Sequence, residues 1–188
     1  EVLAPSEKVS HMQDFHRPSV SIDNKRERFQ QMLSLVRGME PIPTAVAHPC
    51  DKESLKGPVI AFHEGIIEPI LVGPESRIRG VAEEFGIDLH GIRIVNAKHS
   101  HDAAAIAVSL VRTGDAEALM KGSLHTDELM AEVVARANGL RTARRISHVF
   151  LMNVPTYHRP LLITDAAINI APTLEDKVDI VQNAIDLA

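Results

Sequence analysis

Apolar and polar positions follow two different periods along this chain. From Ser21 onward, Ile22, Phe29, Met32, Leu33 and Val36 recur at roughly helical spacing, and Gly38 supplies a stop. Beyond Gly38, short β-branched or apolar runs alternate with longer stretches in which apolar residues return every three or four positions. The runs predict strands over residues 44–48, 69–72, 92–96, 118–121, 146–154 and 161–164. The stretches predict helices over residues 52–67, 74–85, 102–112, 127–138 and 174–187. Such alternation specifies βαβ units, hence an α/β protein whose mostly parallel sheet lies between layers of helices. Residues 1–20 contain Pro5 and Pro18, mixed charge and no sustained period, so they read as a linker or tail.

A sheet of this kind collects ligands beyond the carboxyl ends of its strands. Three polar loops follow predicted strands and should gather on that rim: His48-Pro49-Cys50-Asp51, Lys98 to Asp102, and Lys121 to Thr126. The last is built like an anion site. Gly122 lets the backbone approach a ligand closely, Ser123 and Thr126 offer hydroxyls, Lys121 adds a charge, and the following helix presents the positive end of its dipole. The same residues also suit simple helix capping, with Asp127 and Glu128 well placed in the first turn. Capping and binding are compatible.

These residues carry a family resemblance. Lys121-Gly122-Ser123-Leu124-His125-Thr126 resembles the substrate-loop signature of phosphate acetyl/butyryltransferases. Four further segments match that family in order: Ala45 to Asp51, Pro69 to Pro74, Lys98 to Asp102, and Ile163-Thr164-Asp165-Ala166-Ala167-Ile168-Asn169. The resemblance implies transfer of an acyl group between coenzyme A and inorganic phosphate. It implies an isopropylmalate-dehydrogenase-like fold of two α/β domains with the active site in the cleft between them. The first domain would span residues 21–145, incomplete, and the second would begin over 146–188, the chain crossing near Arg145. Counterparts of the family's later serine, arginine and aspartate are not among these residues, so the match covers its N-terminal and central part. Some members are fused behind a hydratase-like domain, and residues 1–20 are similar to such a connection.

Within that reading His125 is the candidate catalytic residue. Its imidazole suits hydrogen-bond donation to phosphate or to a carbonyl oxygen, and also proton transfer. Lys121, Gly122, Ser123, Thr126, Asp165 and Asn169 are the candidate substrate-binding residues. Asp165 serves equally as a local base or as a structural N–H acceptor, and Asn169 as a ligand-orienting amide or a turn closure. Coenzyme A enters as substrate, and no bound cofactor is expected. The family dimerises through its second domain, and the apolar segments 146–154 and 161–164 would present pairing edges, so a homodimer or larger self-association is expected. The acetyl branch commonly carries a longer His-Thr-Thr-Ala-Asp motif, with an arginine on the next helix. This chain has His125-Thr126-Asp127-Glu128, with Glu132 where that arginine would be sought, which favours a butyryl-like or broad acyl branch.

Composition narrows the alternatives. A formal charge of -5 and a pI near 6.1 give no footprint for nucleic-acid binding, and 3% aromatic residues without tryptophan give no stacking platform. Cys50, the single cysteine, has no internal disulfide partner, in keeping with a cytoplasmic protein, and no apolar run approaches membrane-spanning length. Cys50 also lacks a neighbouring charge that would stabilise a thiolate nucleophile. His99 and His101 lie two apart with Asp102 next to them, but strand-end and helix-cap roles suit them better than a metal site. Arg141, Arg144 and Arg145 suit coenzyme A phosphates or a solvated turn. Two other classes remain: a non-catalytic domain binding coenzyme A or a partner, and a metal- and NAD-dependent dehydrogenase of related fold. The second would need an aspartate cluster or a glycine-rich dinucleotide turn, and neither is recognisable.

Overall fold

A computed structural model describes residues 23–154 and 157–188; the expected tail at 1–20, together with Ser21 and Ile22, lies outside the described residues. The elements follow in the order α1 (Asp23–Val36), β1 (Ile42–Ala47), α2 (Lys52–His63), β2 (Ile67–Gly73), α3 (Glu75–Phe85), β3 (Arg93–Asn96), α4 (Ser100–Thr113), β4 (Ala118–Lys121) and α5 (Thr126–Val133). Two strands and a helix complete it: β5 (Val149–Met152), β6 (Leu161–Thr164) and α6 (Leu174–Leu187).

The first four strands form one parallel sheet in the order β3-β2-β1-β4. Helices cover both of its faces, which is why β1 and β2 read as nearly continuous apolar runs. On one face Ala45, Ala47, Ile70 and Val72 pack with Ala103, Ala104, Ala107 and Val108 of α4 and with Leu124 and Leu129 at α5. On the other face Val46 and Leu71 meet Leu55 of α2, and Ile78 and Ala82 of α3. The α4 side of the core is built largely of alanines, whereas Leu55 and Ile78 supply larger side chains on the opposite side. The result is the expected three-layer α/β arrangement.

Local chemistry sets the boundaries. Asp51 caps α2 by accepting from Ser54 N at 2.9 Å, and Thr173 does the same for α6 through Asp176 N at 3.2 Å. Gly86 and Gly114 end α3 and α4 in the left-handed conformation. Helix α5 stops at Val133, short of the predicted residue 138, because the chain folds back. Gly139 N donates to Ala135 O and Leu140 N to Val133 O, which brings Leu140 against the α4 side of the core.

Strands β5 and β6 depart from the parallel pattern. They pair antiparallel, Val149 opposite Thr164 and Met152 opposite Leu161. The connection over residues 153–160 is shorter than the dozen or so residues a parallel crossover needs. Arg144 and Arg145 fasten this hairpin to α6. Arg144 pairs with Asp186, the Arg145 guanidinium lies 3.1 Å from Asp176, and Arg145 N donates to Asp179 at 2.8 Å. Phe150, Leu151, Met152 and Ile163 remain exposed, as do Leu174, Val178, Val181 and Ile185 along one stripe of α6.

Leu71 is fully buried at the centre of the sheet. Replacing it with Ala should lower the free energy of unfolding by about 2–5 kcal/mol, read by urea denaturation followed by circular dichroism. A loss below about 1 kcal/mol would mean that the α2–α3 face is not a packed core.

Candidate functional site

The strand order reverses between β1 and β4: the chain builds outward through β2 and β3, then crosses back to place β4 on the free side of β1. A crevice opens at the carboxyl ends of strands at such a point. The loop after β1 and the loop after β4 therefore meet, and the structure joins them with main-chain bonds. Gly122 N donates to Ala47 O at 2.8 Å and Ser123 N to His48 O at 2.9 Å. A Cβ on Gly122 would stand 2.4 Å from Ala47 O and 2.6 Å from His48 O, so only glycine permits this approach.

Side chains complete the joint. The Ser123 hydroxyl donates to His48 O at 2.8 Å, accepts from Cys50 N at 3.2 Å, and lies 3.1 Å from His48 Nδ1. The sequence offers Ser123 as a hydroxyl donor to phosphate; here its single proton is committed to the His48 carbonyl. Thr126 occupies the first turn of α5, and no hydrogen bond of its hydroxyl is described. Lys121 is exposed, its Nζ 3.3 Å from Gly122 O. His125 precedes the helix as its N-cap residue and is exposed. Leu124 is buried and anchors the loop in the α4 side of the core.

Glu128 is a joint that the sequence did not single out beyond its place in the first turn. Its carboxylate accepts from His125 N at 3.1 Å and from Ser100 Oγ at 3.2 Å, and lies 3.4 Å from His101 Nε2. One side chain thus ties the start of α5 to the start of α4. His99 Nδ1 accepts from Asp102 N at 3.2 Å, and Asp102 accepts from Lys98 N at 2.8 Å, so His99 and Asp102 cap α4. Among the described residues no group of three or more His, Cys, Asp or Glu is placed to hold a metal ion.

His48 is the second residue missed. It is buried and adopts φ 55, left-handed backbone that histidine tolerates better than most side chains. Burial pulls its imidazole below the ordinary value, and the positive charge of Arg77 acts in the same sense against Glu128 and Asp51. The ring is therefore neutral near pH 7. Burial pushes the Cys50 thiol up, with Arg77 opposing, which disfavours a thiolate nucleophile there.

Asp165 and Asn169 form a separate cluster. Although burial acts to raise its pKa, the Asp165 carboxylate is held well below the ordinary range by the Asn169 amide and by the N–H groups of His148, Ile168 and Ala167. Asn169 N also donates to it at 2.8 Å, while Asn169 Nδ2 donates to Ile146 O and Asn169 Oδ1 accepts from Arg145 Nε. Of the two roles open to Asp165, the geometry matches the structural acceptor, and Asn169 closes the turn. Their described hydrogen bonds run to residues 145–148 and within 165–169, none to the 121–126 loop. Arg144 and Arg145 are likewise engaged with α6.

A family model described as "Phosphate acetyl/butaryl transferase" matches residues 98–188, a span that includes the loop after β4. A phosphate acetyltransferase of Rickettsia prowazekii (strain Madrid E) is 51% identical over 187 residues, all of this chain and 53% of the relative. A phosphate butyryltransferase of Clostridium acetobutylicum is 36% identical over 160 residues, 85% of this chain and 53% of that protein. The crystal structure of a phosphotransacetylase from Streptococcus pyogenes superposes with a TM-score of 0.69 at 20% identity, covering 86% of this chain and 56% of that one, and shows the same fold. The chain thus spans about half the length of the curated relatives it matches.

Two outcomes test the loop joint. Gly122→Ala should cost about 1–3 kcal/mol of stability by driving the two loops apart, measured by thermal unfolding; an unchanged midpoint would contradict the close approach. Because the folded-state pKa of His48 lies below its unfolded value of about 6.5, the unfolded chain binds the extra proton first. Its contribution is full above that value and declines as pH falls through it toward the folded pKa. The stability of the protein relative to His48→Asn should therefore fall on acidification from about pH 7 to 5. A flat difference across that window would show that the ring is not held neutral.

Proposed function

The chain belongs to the phosphate acetyl/butyryl transferase family, and we propose that it supplies the phosphate side of an acyl-transfer site. In the reaction a phosphate oxygen bonds to the acyl carbon of acyl-coenzyme A, the C–S bond breaks, and the thiolate leaves and takes a proton. The observation that carries this reading is the seating of residues 121–126 at the switch point of the sheet, locked to β1 by Gly122 and followed by the N-terminus of α5. Main-chain donors, the Thr126 hydroxyl and the Lys121 charge suit an anion there. His125, at the mouth, suits the carbonyl oxygen on which negative charge develops. Ser123 shapes the loop through His48. The Asp165 and Asn169 cluster supports the hairpin that would carry the far side of the site.

An acetyl substrate is the better supported of the two. Identity of 51% to a relative named phosphate acetyltransferase, against 36% to one named phosphate butyryltransferase, outweighs the shortened motif after His125. Coenzyme A is then a substrate, and the reaction needs no bound cofactor. The exposed apolar stripe of α6 and the exposed apolar residues of β5 and β6 support self-association, read by light scattering. No helix among the described residues is long and apolar enough to cross a membrane; a cytoplasmic site of action is part of the proposal.

The test uses the protein at its relatives' full length, assayed for acetyl-phosphate formation from acetyl-coenzyme A and phosphate. Thr126→Ala and Lys121→Ala should each weaken phosphate use by about 1.5–3 kcal/mol, roughly 10- to 150-fold in kcat/KM for phosphate, and leave the KM for coenzyme A nearly unchanged. Residues 1–188 alone should turn over far more slowly. Absence of exchange with acetyl through butyryl substrates would reject the acyltransferase reading, and retained coenzyme A binding in that case would favour a non-catalytic binding domain.

A further inference from the structure

His48 sits where the two loops join, yet neither the loop motif nor capping accounts for its side chain. Its hydrogen-bond network determines its tautomer. The Ser123 hydroxyl oxygen and His48 O are 2.8 Å apart, and two oxygen atoms at that distance need a proton between them. The only proton available is the hydroxyl's own. The contact of 3.1 Å between Ser123 Oγ and His48 Nδ1 must then be made by a proton on the ring nitrogen, so Nδ1 is the donor. A neutral imidazole protonated at Nδ1 carries a bare lone pair at Nε2.

No hydrogen bond to that second nitrogen is described, although the residue is only 8% exposed. Nε2 is also not among the fully buried unpartnered atoms, of which His148 Nδ1 is the one found among the described residues. It therefore keeps some solvent contact, on a residue that directly follows β1 and is joined to the loop after β4 through Ser123. The exposed Arg77, whose charge acts on His48, adds positive field on the same rim. Lys121, Arg77 and the main-chain N–H groups at the start of α5 offer an anion positive charge or donors, the Glu128 carboxylate is engaged with His125 N and Ser100 Oγ, and His48 offers a neutral acceptor.

We propose that His48 Nε2 is a selectivity element of the anion site: it accepts the hydrogen of a protonated tetrahedral oxyanion, so the site takes hydrogen phosphate or hydrogen arsenate and rejects sulfate. This rests on the reading of the 121–126 loop as the phosphate site. Near neutral pH hydrogen phosphate retains an O–H, whereas sulfate has none. Sulfate would set an oxygen lone pair against a nitrogen lone pair and leave a mostly buried acceptor unpaired, the kind of mismatch that discriminates strongly. Ser123 acts at one remove, by fixing which nitrogen is bare.

The test is calorimetric titration of the full-length protein with sodium phosphate and with sodium sulfate at constant ionic strength near pH 7, without coenzyme A. His48→Asn tolerates the left-handed backbone and keeps a donor for Ser123 while removing the Nε2 acceptor. It should weaken phosphate about tenfold and strengthen sulfate, so that the preference for phosphate falls by tenfold or more. An unchanged preference in a folded variant overturns the proposal. Nitrogen NMR of the unmodified protein decides the matter if the variant fails to fold: Nε2 should be the unprotonated nitrogen and should shift on phosphate addition, and a proton on Nε2 overturns the proposal. Selective phosphate binding without acyl transfer would sink the acyltransferase reading alone. Acyl transfer with an unaltered preference would sink this inference alone.

Discussion

The Gly122 backbone lies against the carbonyls of Ala47 and His48 too closely for any side chain, and the rest of the site hangs from that contact. Two main-chain hydrogen bonds extend the β1–β4 ladder past the ends of the strands, into residues that are no longer strand. The extension turns a flexible polar loop into a continuation of the sheet. It seats Leu124 in the core, aims α5 outward from the crevice, and brings the Ser123 hydroxyl to His48. Replacing one hydrogen atom of Gly122 with a methyl group would break all of these at once.

Rigidity at the rim comes from polar groups that bridge elements rather than from depth. Glu128 holds the starts of α4 and α5 together, Asn96 Oδ1 accepts from Glu75 N at the start of α3, and Ser123 binds the two loops of the crevice. The described concavities lie elsewhere, at the amino end of the strands, lined by residues such as Pro43, Glu68, Arg93 and Asp115. The carboxyl rim is suited to a ligand gripped by directed hydrogen bonds.

Much of this was legible in the chain. Apolar runs located the six strands found among the described residues, β1 and β2 most plainly because strands covered on both faces need unbroken hydrophobicity, whereas the strand order β3-β2-β1-β4 was not read from the sequence. Gly122 announced a close backbone approach, read from the sequence as one to a ligand and found here against the Ala47 and His48 carbonyls. His48 gave no comparable signal: a residue before proline is ordinarily extended, yet His48 precedes Pro49 with φ 55, and its partner is 75 positions away. Glu128 looked like a dipole-matching acid, and its bond to Ser100 exists only once α4 has docked. Asp165 could not be resolved between base and acceptor because that depends on which N–H groups the turn collects. The antiparallel β5–β6 pairing was legible in principle from the short connection between them.

The register of β4 against β1 has a consequence for the order in which the molecule acquires its parts. β1 and β2 pair across a short βαβ unit, Ala47 opposite Val72, whereas Ala47 meets Lys121 only after the whole of β2, α3, β3 and α4 has intervened. Closing that longer loop costs more chain entropy and is among the late contacts of a folding chain. The crevice is therefore absent from every intermediate in which the first three strands alone are assembled. Any ligand bound between these two loops would stabilise the last strand of the parallel sheet, and binding would report on completed folding.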